Sequence, residues 1–60
     1  MLSVIDTNTG KSIPCGDFDD ARKVRARMAR RGGSWEVVQT NCARQQYILD
    51  RDTGEIVASY

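Results

Sequence analysis

Sixty residues with 40% apolar side chains describe one small domain, too apolar for a disordered chain and lacking the run of about 20 apolar residues that a membrane-spanning helix needs. A domain of this size buries only about 60% of the surface its unfolded chain exposes, so a homodimer is one way to complete it. Nine Lys and Arg against eight Asp and Glu give +1, yet residues 21–31 hold six cations and no acid, which leaves −5 on the rest of the chain.

The opening Met1-Leu2-Ser3-Val4-Ile5-Asp6 has neither a cationic leader nor a long apolar stretch, so no signal peptide is read and the expected address is cytoplasmic. Residues 1–60 form a single domain. Val4-Ile5-Asp6-Thr7-Asn8-Thr9-Gly10-Lys11-Ser12-Ile13 shares with Ile48-Leu49-Asp50-Arg51-Asp52-Thr53-Gly54-Glu55-Ile56-Val57 the frame apolar-apolar-Asp-x-Asx-Thr-Gly-charged-x-apolar. Both segments predict β-hairpins, because Asx side chains bond to their own turn backbone and Gly supplies positive φ. Asp50 does not open an EF-hand loop: Gly54 is fifth where that loop needs a glycine sixth.

Pro14-Cys15-Gly16 is expected to break the second strand. Asp17 then reads as a helix N-cap, with Asp20 three residues on as the short-armed form of a capping box. Asp19 and Asp20 suit the positive end of the helix dipole, Arg30 and Arg31 the negative end, and Gly32-Gly33 the left-handed stop. At 100° per residue Phe18, Ala21, Val24, Met28 and Ala29 gather into an apolar arc, while Lys23, Arg27, Arg30 and Arg31 project from the other side with Asp19 and Asp20. Arg25 falls inside the apolar arc. Either its stem packs on the sheet while the guanidinium reaches water or a carboxylate, or it serves as an interface anchor.

Trp35–Thr40 alternates as a strand covered on one face, and residues 45–50 follow suit after a bend at residues 41–44. Ile56–Tyr60 closes the chain as a strand with Ile56, Ala58 and Tyr60 on one side. The order ββαβββ implies an α+β fold in two layers: an antiparallel sheet of up to five strands, its last three a meander, with one amphipathic helix packed on one face. The place of the first hairpin in the sheet is left open.

Cys15 and Cys42 lack CxxC spacing, and there is no histidine, so no zinc site, other metal site or cofactor is expected. The two thiols are either free and at least partly buried in a reducing cytosol, or joined in a disulfide between the loop before the helix and a sheet loop. Without histidine, and with carboxylates confined to turns, no enzyme is expected. A thiolate at Cys15 would gain from the helix N-terminus but lose to Asp17, Asp19 and Asp20. Asp6, Asp50, Asp52 and Glu55 could form an acidic docking patch or be solvated turns.

That leaves the helix cations. Arg22, Lys23, Arg25, Arg27, Arg30 and Arg31 are the candidate binding residues. Such a face can follow nucleic-acid phosphates, although a sequence pI of about 7.8 lies below the value above nine usual for dedicated nucleic-acid domains.

The frame Asp-x-Asx-Thr-Gly-charged, then Phe18-x-x-Ala21 opening the helix, then Gly33-Ser34-Trp35-x-Val37 and a second copy of the frame, resembles short bacteriophage or prophage proteins over nearly the whole chain. The resemblance implies a compact, non-enzymatic effector that binds a host macromolecule, anti-CRISPR proteins being one group of this size. The expected function is therefore binding, through a charged surface, to a host protein or ribonucleoprotein, as a phage-borne inhibitor. Direct nucleic-acid binding by the helix face and a self-associating structural subunit are the alternatives, and no membrane partner is expected.

Overall fold

All residues from 1 to 60 are described by the computed structural model. The chain forms β1 (Leu2–Asp6), β2 (Ser12–Cys15), α1 (Phe18–Ala29), β3 (Trp35–Thr40), β4 (Gln46–Leu49) and β5 (Ile56–Ser59). Five antiparallel strands make one open sheet in the order β2-β1-β3-β4-β5, so the first hairpin joins the meander through β1 against β3.

Strand alternation and helix periodicity meet in one core. Val4 pairs with Val37, and Val37 with Leu49. These side chains meet Ala21 and Val24 of α1 and the indole of Trp35, with Leu2, Ile13, Cys15, Phe18 and Met28 half-buried around them. The helix lies over β1, β2 and β3 only, and β5 is exposed along its whole length.

The helix-free face departs from expectation. Val38 is as fully buried as Val37, both at 0% exposure, so β3 is covered on both sides. Its central position explains this: Val38 stands in one cross-strand row with Pro14, Ser3, Ile48 and Ala58, and neighbours on both flanks close over it.

Pro14 does not break β2 but pairs within it, opposite Ser3. β2 is an edge strand, so the missing N–H faces solvent and no ladder bond is lost. In β5, Ile56 stands opposite Leu49 and Ala58 opposite Ile48, with a register shift between them. Ile56 and Ala58 therefore lie on opposite faces, contrary to the simple alternation expected there, because the bulge inserts an extra residue.

The repeated frame produces one turn twice. Asp6 N–H donates to Lys11 C=O (2.9 Å) and Gly10 N–H to Asp6 C=O (2.7 Å), as Asp50 N–H does to Glu55 C=O (2.7 Å) and Gly54 N–H to Asp50 C=O (3.0 Å). Inside each turn the aspartate Oδ1 accepts from the N–H two residues on, Asn8 at 2.9 Å and Asp52 at 2.8 Å. The glycine of each frame, Gly10 and Gly54, takes φ +78°.

Candidate binding face of the helix

The helix is held at both ends by the residues that the sequence marks as caps. Asp17, extended at φ −144°, accepts from Asp20 N–H at 2.8 Å. The reciprocal bond of a capping box is not made, since an aspartate side chain is one methylene shorter than glutamate. At the other end Arg30, Arg31 and Gly32 donate backbone N–H groups to Ala26, Met28 and Ala29, and Gly32 and Gly33 take φ +96° and +109°. Arg30 and Arg31 thus sit in the closing turn just past the regular helix, with their backbone fixed by the cap.

Arg22, Lys23, Arg27, Arg30 and Arg31 are all exposed. Lys23, Arg27 and Arg30 fall at i, i+4 and i+7, so they form one row about 10 Å long on the surface away from the sheet. Of the six candidates only Arg22 has an ion pair, Nη2 to Asp19 Oδ1 at 3.6 Å, with both side chains exposed. Such a pair contributes roughly 0.2–0.5 kcal/mol. The other ion pair of the molecule, Arg51 with Glu36, joins the β4–β5 turn to β3 and not to the helix. Self-repulsion along the row is therefore not relieved by the protein's own carboxylates.

Arg25 is set apart from the other five. It is half-buried, and its Nε donates to the backbone carbonyl of Trp35 at 3.0 Å, where water or a carboxylate was the expected partner. Trp35 Nε1 in turn donates to Gly32 C=O at 3.1 Å. Arg25, Trp35 and Gly32 make a clasp that fixes the helix on β3 and closes the loop between them. Helical-wheel position places Arg25 against the sheet; its choice of a carbonyl depends on how the chain re-enters after Gly33, which local sequence does not specify.

The acidic residues do not assemble into one patch. Asp6 is buried at the end of β1, and its turn is bonded to Ser34 through Thr7. The Asp50 turn leaves the same end of the sheet two strands away, since Asp6 stands opposite Trp35 and Leu49 opposite Val37; it carries the exposed Asp52 and Glu55, and a Cβ added at Gly54 would meet the Phe18 ring at 3.4 Å. No group of three or more His, Cys, Asp or Glu is arranged to hold a metal ion. Asp50 itself has its carboxyl held below the ordinary value by the N–H groups of Asp52 and Thr53.

Both cysteines are free thiols. Cys42 is exposed in the β3–β4 loop, where at least partial burial was expected, because Asn41 turns the loop outward by accepting from Ala43 and Gln45 N–H groups (both 2.9 Å). Cys15 is half-buried and donates to Ile13 C=O at 3.5 Å. Burial, then the charges of Asp20 and Asp17, push its thiol upward, so at neutral pH it stays protonated and a poor nucleophile.

One surface feature has no counterpart in the sequence reading. A shallow cleft of about 330 Å³ is lined by Arg44, Gln45, Gln46, Tyr47, Ser59 and Tyr60. Arg44 stands in it at φ +64°, an uncommon conformation for a residue with a side chain. No helix is long and apolar enough to cross a membrane. Comparison with family models, curated proteins and solved structures finds no match to this chain.

Proposed function

We propose that this protein is a non-catalytic binding module that docks the cationic face of α1 on an anionic surface of a host protein or ribonucleoprotein, as a phage-borne inhibitor acting in the cytoplasm. The observation that carries the reading is the state of Lys23, Arg27, Arg30 and Arg31, exposed and without a carboxylate within ion-pairing distance. Leaving four like charges on one rigid face disfavours the isolated domain slightly, and a complementary partner relieves it while steering encounter. Fixed caps and the Arg25 clasp support the same reading, because a pre-organised face loses little entropy on binding. A reducing compartment suits two free thiols. The inhibitor role rests on the resemblance to short phage proteins.

The test is capture of partners from host lysate with and without nuclease, alongside a gel shift at two salt concentrations. The proposal expects capture that survives nuclease and no retardation of duplex or single strands. Tight retardation that weakens steeply with salt, with a graded loss for each Arg→Ala change on the face, would replace it with direct nucleic-acid binding.

A further inference from the structure

We propose that β5 is a strand-pairing edge whose occupant is a second copy of this chain, joined antiparallel through the same strand. The sheet has two edges, and they differ in chemistry. β2 carries Pro14, which offers no N–H to an incoming strand. From Ile56 to Tyr60 there is neither proline nor a charged side chain, and every one of these residues is exposed, with Ile56 at 57% and Val57 at 60%. Tyr60 N–H donates inward to Gln46 C=O at 2.9 Å. Antiparallel bonding alternates along a strand, so the N–H and C=O of Ser59 face the open side. The bulge is confined to the start of the strand, opposite Leu49 and Ile48, and the regular stretch beyond it, free of proline and of charged side chains, is a template for another strand.

Charge identifies the occupant. Glu55 precedes the strand, Arg44 lies beside Ser59 and Tyr60 at its other end, and neither has an ion pair. Antiparallel self-pairing sets Glu55 of each copy toward the Arg44 end of the other, twice per dimer, with only uncharged residues between. The arrangement is isologous and stops at two. Directly opposed residues of paired strands share a face, so both helices stand on the same side of one continuous sheet, clear of the seam. The middle of the helix-free face is a poorer seam, since Ser3, Ile5 and Val38 are already buried there.

Light scattering over a range of protein concentrations tests this. The expected mass is twice 6.7 kDa, with hydrogen exchange slowed at the Ser59 amide. Ser59→Pro removes an edge donor without touching the bonds to β4 and should give a monomer with unchanged circular dichroism. Glu55→Arg and Arg44→Glu should each weaken association about tenfold, and together restore it. A mass of 6.7 kDa at every concentration, assembly beyond two, or a dimer indifferent to the Glu55 and Arg44 changes would each overturn the proposal. The charge swap decides the matter even where Ser59→Pro fails to fold.

Discussion

Gly33 is the residue at which backbone and packing demands coincide. It combines φ +109° with a neighbourhood in which an added Cβ would lie 2.9 Å from Trp35 Nε1 and 3.0 Å from Asp6 Oδ2. Gly10 has φ +78° but open space around it. Gly10→Ala should therefore cost about 1 kcal/mol, the left-handed penalty alone, whereas Gly33→Ala should cost at least about 2 kcal/mol because the clasp must shift as well. Chemical denaturation of the two variants checks the ranking. Asp50 carries a separate prediction. Its carboxyl is held low by the Asp52 and Thr53 N–H groups, so the folded state takes up that proton less readily than the unfolded chain. The contribution is complete above the ordinary aspartate value near 3.9 and is lost as pH falls through the folded value. Melting temperatures followed from neutral pH into acid should fall below about pH 4, with a shallower fall in Asp50→Asn.

At the scale of the helix, the six candidate cations separate into one strut and five surface charges. Arg25→Ala removes a half-buried stem and leaves the Trp35 carbonyl without its donor, which should cost about 1–3 kcal/mol. Arg27→Ala should change stability by no more than about 0.5 kcal/mol. Thermal unfolding of both variants under one condition tests the division. The helix was legible in the sequence almost to the residue: Asp17 and the Gly32-Gly33 pair mark its ends by local chemistry, and the 100° wheel places Ala21 and Val24 inward. Both hairpin turns were legible for the same reason, since every bond in them lies within six residues of the frame. Pro14 inside β2, burial on both faces of β3 and the β5 bulge were not legible. Each depends on which strands are neighbours, a pairing between distant residues that local pattern leaves open.

The molecule as a whole is electrostatically lopsided, and the fold makes it so. Asp17, Asp19 and Asp20 stand at the start of α1, while the row from Lys23 to Arg31 is left to solvent farther along the helix. The sequence displayed this sorting but not its openness, because whether carboxylates reach back over the row depends on where the two hairpin turns land. A domain of 60 residues has a total stability of about 3–9 kcal/mol, so a test of binding must first spare the core. The double charge reversal Arg27→Glu with Arg30→Glu meets that requirement, since both side chains are exposed and make no ion pair. Partner capture by this variant, measured beside its unfolding curve, is the most direct trial of the helix face: the expected result is stability within about 1 kcal/mol of the parent with capture abolished, and undiminished capture by the folded variant would contradict it.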